Sequence, residues 1–217
     1  MTTFLRLLAE NDKREKMASA CACLRAGEPD PRVFEVAPDA FDVVPGAPFA
    51  YWVSDRVRAA FEKFPSTEKS ALVTSGTGTL DDFRFLRNWW EISDDKSWFP
   101  FAKGGAYSPM YYDQHLMASW EHEGAEMKAW IVFRYGGGHW ARNIRSTEHY
   151  FRPGLTWPRR TNGLSFRVMP HGCIFADKGP AAFVADDAPD ALLALCALVN
   201  SQAFGLLVSV QLARVEL

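Results

Sequence analysis

The densest potential chemistry in this sequence lies between Arg134 and Lys178. Eight basic residues (Arg134, Arg142, Arg145, Arg152, Arg159, Arg160, Arg167 and Lys178) stand there against two acids, Glu148 and Asp177. That is a net +6 inside a chain whose overall charge is −2. Three short runs, "RNIRS" (142–146), "YFRPG" (150–154) and "TWPRRT" (156–161), alternate arginine with aromatic rings among turn-forming residues. A guanidinium can grip a phosphate or the guanine edge with two hydrogen bonds. Tryptophan and tyrosine beside it can stack or wedge against bases. The pattern points to contact with nucleic acid, and an arginine-rich solvated face is the alternative. The acidic remainder excludes a uniformly basic chain, so the charge distribution describes an oriented field.

Other candidate chemistry is weaker. "TSGTGT" (74–79) has the glycines of a phosphate loop but no lysine after them, and only Gly76 and Gly78 fit a dinucleotide fingerprint. It reads first as a flexible turn with exposed amides, and second as a loop whose amides and hydroxyls meet a nucleic-acid phosphate. Asp113, His115, Glu121, His122 and Glu123 lie close in sequence, but their spacing does not force them to converge on a metal. "SDDKS" (93–97) offers Asp94, Asp95 and Lys96 for magnesium-dependent hydrolysis, with no clear partner carboxylate. No Gly-x-Ser-x-Gly nucleophile elbow exists. Trp89, Trp90 and Trp98 read as core packing, with sugar or base stacking as the alternative. No catalytic residue and no metal ligand is assigned.

The elements that must position these residues follow from composition and period. At 217 residues, 48% apolar and 23% charged, the chain suffices for one large domain or two small ones with a hydrophobic core. Residues 4–8 read as a strand, 11–25 as a helix, and Gly27 to Pro31 as a breaker. Ser54 reads as the cap of a helix running to Phe64. From about residue 70 helical periodicity fades, and strands are predicted at 129–134, 164–169 and 172–176. Residues 186–217 return to helix. Within them the apolar run 191–210 has the length of a membrane span, but Asn200, Ser201 and Gln202 sit at its centre. It reads as a buried helix, so no membrane partner is expected. The expected fold class is α+β: an α/β lead-in over 1–69, then a β-rich core over 70–217 closed by a C-terminal helix. Residues 1–6 carry no signal-peptide core. Of the four cysteines, Cys21 and Cys23 are too close for usual zinc spacing, and Cys196 reads as a buried thiol. Reduced cysteines and a cytoplasmic location are expected.

Taken in order, "TSGTGTLDDFRFLRNWWEI", "WFPFAKGGAYSPMYYD", "SWEHEGAEMK", "NIRSTEHYFRPGLTWPRRTNGLSFRVMPHGCIFADKGP" and "LLALCALVNSQAF" are recognisable. This ordered string, preceded by "PFAYWVSDRVRAAF", resembles the target-recognition region of adenine-specific DNA methyltransferases. The type IIG restriction–modification enzymes and the methyltransferases of BREX-type phage-defence systems are nearest in kind. The resemblance covers about residues 49–204. Lys103-Gly104-Gly105 falls on the family's Lys-Gly-Gly turn and Trp157 on its Thr-Trp step. Arg145, Phe151, Gly163, Phe166 and Gly179-Pro180 also match. The family's glycine-rich cofactor loop and its Asn/Asp/Ser-Pro-Pro-aromatic motif are not in this sequence; "PGAPFAYW" lacks the Pro-Pro. The resemblance therefore implies recognition of double-stranded DNA without methyl transfer by this chain alone. S-adenosylmethionine is expected only in a partner catalytic domain or subunit. Lys103, Arg142, Arg145, Arg159, Arg160 and Arg167 are expected to contact phosphates, with Tyr150 and Trp157 bordering the duplex. A docking module, or a nuclease using Asp94, Asp95 and Lys96, stands as the alternative.

Overall fold

The computed structural model describes residues 1–93, 97–161 and 163–212. The chain divides into two compact units, Met1–Ser66 with Leu206–Leu217, and Thr67–Gly205. The fold class is α+β, as the sequence implies.

In the first unit, strand β1 (Thr2–Leu5) pairs antiparallel with β2 (Val33–Val36), placing Phe4 opposite Phe34. Between them runs helix α1 (Lys13–Ala26), whose N-cap Asp12 accepts the Glu15 N–H at 2.9 Å. This cap satisfies one of the amides that a helix start leaves unpaired. Phe4 stacks on Tyr51 and meets Phe41 and Phe49 edge-on, so the proline-rich stretch after β2 is held by rings rather than by regular structure. Helix α2 (Asp55–Lys63) starts after Ser54 as expected, but Ser54 makes no side-chain capping bond. Buried Arg58 bonds instead to Asp55 at 2.8 Å and reaches the Ala50 carbonyl at 3.3 Å.

The second unit holds β3 (Leu72–Thr74), α3 (Asp82–Phe85), β4 (Leu86–Asn88), β5 (Trp98–Ala102), β6 (Leu116–Ser119), α4 (Ala125–Arg134), β7 (Gly154–Thr156), β8 (Arg167–Met169), β9 (Ile174–Phe175), β10 (Ala181–Phe183) and α5 (Pro189–Val199). Helix α6 (Gln202–Gln211) runs from it into the C-terminal part of the first unit. One sheet is ordered β3-β10-β7-β8 and wholly antiparallel. The other is ordered β4-β6-β5-β9, with β5 and β9 parallel. The main core joins Phe85, Phe101, Met127, Ile131, Ile144 and Phe175. A second cluster packs Leu155 and Ala182 against Leu192, Cys196 and Val199 of α5.

Two predicted strands appear, as β8 within 164–169 and β9 within 172–176. The third does not: residues 129–134 are the end of α4. The β-branched pair Ile131-Val132 reads locally as strand. Burial of Met127 and Ile131, one helical turn apart on the same core, overrides that preference. The closing helix is also two helices, interrupted at Asn200 and Ser201. The Asn200 amide pairs with Phe166, the residue just before β8. It accepts the Phe166 N–H at 3.1 Å and donates to the Phe166 carbonyl at 2.8 Å. Residues 191–210 are not buried throughout: Leu192, Cys196 and Val199 face the core, while Leu193 is 59% exposed. Among the described residues no single helix is long and apolar enough to cross a membrane; α5 and α6 together pass that test only as a bent pair.

Candidate nucleic-acid interface

The glycine run is the frame of the site. Far from a loose turn, residues 76–79 thread between β9 and the loop 143–146. Gly76 N–H donates to Ala176 O (3.3 Å), and Thr77 N–H donates to Phe175 O (3.0 Å). On the opposite flank Gly78 N–H donates to Asn143 O (2.9 Å), and the Asn143 side chain returns a bond to Gly78 O (3.0 Å). Ser146 closes the seam, sharing a 2.6 Å bond with Thr74 Oγ1 and donating to Ser75 O at 3.1 Å. Glycine is required at position 76 because a Cβ there would lie 1.9 Å from the Phe175 carbonyl oxygen. The amides of Gly76, Thr77 and Gly78 are spent inside the fold. These three amides offer no cradle for a phosphate, which corrects both sequence-based readings of this run.

Against this seam lies the turn after β7. Arg159 donates to Ser75 Oγ at 2.6 Å, and its N–H reaches Lys178 O at 3.3 Å. Trp157 is half-buried, its ring 4.8 Å from that of Phe166. A groove of about 550 Å³ results, bounded by residues 73–75, Arg145, Ser146, Trp157, Arg159 and Pro180. Arg145 and Arg159 are exposed there, and Arg160 and Arg142 are exposed in the same two turns. The Arg142 guanidinium lies 5.8 Å from the Tyr135 ring. Lys178 is exposed on the neighbouring turn. That turn nests on the 103–105 turn so closely that a Cβ on Gly179 would sit 2.7 Å from Ala102 O.

Lys103 stands apart from the arginines. It is ion-paired with Asp82, whose other oxygen accepts the Thr79 hydroxyl at 2.6 Å. Burial pulls the Asp82 carboxyl upward, but the bonds from Lys103 and Thr79 and the charges of Lys103 and Lys178 outweigh it. The carboxyl therefore titrates below its usual value. These groups line a polar hollow of about 310 Å³ with Asn143 and Asp177.

Two expected DNA contacts lie inside the fold. Tyr150 is 5% exposed, ring to ring with Trp120 and Phe175, and burial pushes its phenol upward. It cannot border a duplex from there. Arg167 is 1% exposed, bonded to the carbonyls of Gly104 and Ala106. Arg152, counted in the basic stretch, is committed to Asp187 through Nε (2.9 Å) and Nη2 (2.6 Å). The tryptophans depart in the other direction. Trp89 and Trp90, expected in the core, are 56% and 60% exposed and meet edge to face. Sequence reasoning missed Ser75, Ser146 and Asn143, the small polar residues that fix the seam; nothing in their identity marks them. Among the described residues no group of three or more His, Cys, Asp or Glu side chains could hold a metal ion. Asp94, Asp95 and Lys96 lie outside the described residues.

No protein-family model matches the chain. Over 212 residues it is 27% identical to the adenine-specific methyltransferase BrxX of Escherichia coli O9:H4 (strain HS), an alignment covering 92% of this chain and 16% of that protein. Over 182 residues it is 29% identical to the adenine-specific methyltransferase PglX of Lacticaseibacillus casei (strain Zhang), covering 74% of this chain and 14% of that protein. The chain thus spans about one sixth of the length of the curated relatives it matches. It is a distant relative of a portion of these adenine-specific methyltransferases.

Proposed function

We propose that this chain is a DNA-binding specificity module that works with an adenine-specific methyltransferase in a restriction–modification or phage-defence system. The observation that carries the reading is the groove beside Ser75. It brings Arg145, Trp157 and Arg159 against residues 73–75, some 70 to 84 positions earlier in the sequence, to form one exposed basic wall. The similarity to two adenine-specific methyltransferases supplies the context. Arg145 and Arg159, with Arg142, Arg160 and Lys178 beside them, grip backbone phosphates and set the register of the duplex. Trp157 presents one edge to the groove while Phe166 fixes its plane. Lys103 joins the phosphate contacts only after leaving Asp82. Binding of S-adenosylmethionine and transfer of the methyl group to a flipped adenine belong to a partner catalytic domain or subunit. The exposed leucines of α5, Leu193 and Leu198, supply apolar surface for that partner.

A gel-shift series on mixed-sequence duplex DNA at rising salt tests the reading. Each phosphate contact contributes about −0.9 to the slope of log affinity against log salt. The Arg145→Glu/Arg159→Glu variant is expected to bind more weakly and to lose roughly 1.8 of that slope. Affinity that ignores salt, or no binding at ~100 μM, the weak end of non-specific binding, overturns it. Charge reversal at these arginines leaves attachment to the catalytic partner unchanged, which separates recognition from docking.

A further inference from the structure

The inward arginine has a pocket of its own. Arg167 leaves β8 toward a cavity of about 240 Å³ framed by Phe101, residues 103–105 and residues 112–116. Its Nη atoms are held by the carbonyls of Ala106 and Gly104, and its guanidinium lies 4.2 Å from the centre of the Tyr112 ring. Its Nε is buried with no hydrogen-bond partner among the described residues. No carboxylate among them forms an ion pair with it either. Such an arrangement is costly, because a buried charge is stabilised chiefly by an opposite charge and by complete hydrogen bonding. Burial draws the guanidinium below its ordinary value, with Tyr112 acting the other way, yet an arginine keeps its proton. The cavity is therefore bordered by a fixed positive charge, on a side chain that keeps one buried donor without an acceptor. Lys103 adds a second cation to its wall, and Gln114 and His115 add polar groups. The opposing charges are Asp82, which is ion-paired with Lys103, and Asp113, exposed on the wall and bonded to His115 through its backbone carbonyl.

We propose that this cavity is an oxyanion site in which a phosphate group is received by Arg167, with Lys103, Gln114 and His115 around it. The volume admits a small phosphate ester but not a duplex, so a free phosphate compound is the expected source. A phosphate of the DNA backbone offers the same chemistry. The site is separate from the basic groove beside Ser75 and stands or falls without it.

The test is thermal denaturation and calorimetric titration of the full chain with inorganic phosphate, against chloride at matched ionic strength. A saturable rise in Tm, with a Kd at or below ~1 mM, is expected. Gln114→Glu sets a negative charge on the half-exposed wall without touching the core, and should weaken phosphate binding about tenfold. Arg167→Met should abolish it wherever the variant folds. Arg145→Glu/Arg159→Glu should leave phosphate affinity unchanged, so loss of DNA binding and loss of this site are read independently. If duplex DNA competes phosphate away and Gln114→Glu weakens both, the bound phosphate is that of DNA. If DNA and phosphate bind together, it is a small molecule. No saturable effect up to ~10 mM phosphate, a concentration that would fill well over half of a millimolar site, or an affinity indifferent to Gln114→Glu, overturns the proposal.

Discussion

Substituting Gly76 by alanine tests the seam on which the candidate interface rests. The added Cβ would stand 1.9 Å from the Phe175 carbonyl oxygen, 2.6 Å from its carbon and 2.7 Å from its ring atom Cδ2. Two of these atoms are backbone, so no rotamer change relieves the clash; β9 and the glycine run must separate by about 1 Å or more, given ordinary van der Waals spacing. That motion breaks the Gly76 to Ala176 and Thr77 to Phe175 hydrogen bonds in a region where Thr77 and Phe175 are fully buried. Leaving buried groups unpaired costs about 1–3 kcal/mol each, and overpacking adds roughly 1–3 kcal/mol. The expected loss is therefore about 4 kcal/mol or more, a large part of the 5–15 kcal/mol that typically holds a domain together. A fall in Tm of roughly 14 °C or more follows for a unit of this size, read by circular dichroism. Gly205→Ala is the internal standard: nothing lies within 4 Å of its Cβ and it sits in α6, so alanine should be neutral or stabilising by up to ~1 kcal/mol. A Gly76→Ala melting point within about 2 °C of wild type, where small surface changes fall, would falsify the claim that this run is clamped.

Two further outcomes follow from titrating groups. Because the Asp82 carboxyl is held below its usual value, its pairing stabilises the fold above about pH 4, the unfolded value, and is lost as pH falls through the folded value. Asp82→Asn should thus be less stable than wild type at pH 7, and the gap between the two should close as pH falls below the usual carboxylate range. Solvent around the half-exposed carboxylate keeps the gap to ~1 kcal/mol or less; a gap that persists unchanged at acid pH contradicts the assignment. Burial pushes the Cys173 thiol up to about 11 and raises Cys196, whereas Cys21 and Cys23 are partly exposed. At pH 8 iodoacetamide should label Cys21 and Cys23 quickly and the buried pair only in urea, read by mass spectrometry; rapid labelling of Cys173 contradicts the core.

Helices α1 and α2 were legible because each carries its own stop and start chemistry, Asp12 and the Gly27 to Pro31 breaker for one, Ser54 and Pro65 for the other. Strands β8 and β9 were legible as short apolar runs between turns. α4 was not, since its β-branched centre favours strand and only the distant core that receives Met127 and Ile131 decides for helix. The break between α5 and α6 was equally hidden. Asn200 looks like a polar interruption until its amide is seen paired with Phe166, a residue 34 positions earlier.

The basic stretch shows the same limit more sharply, because a formal charge does not reveal which way its side chain points. Through Phe166 and β8 the apolar residues Phe166 and Val168 alternate with Arg167 and Met169, and a period-of-two reading sends the arginine to solvent. The structure does the reverse: Arg167 and Met169 are buried, and Val168 is exposed. Phe166 is taken up by Trp157 and Asn200 on the opposite face, which leaves the arginine facing the core side. Arg152 is likewise withdrawn by Asp187, 35 residues away. What stays exposed is a smaller set: Arg134 at the end of α4, and Arg142, Arg145, Arg159, Arg160 and Lys178 on turns that Ser75 and Ser146 help tie to one seam. The exposed electrostatic field therefore comes from fewer charges than the sequence displays, since Arg152 is paired and Arg167 buried. The interface also depends on Gly76 and Asn143, residues that carry no charge at all.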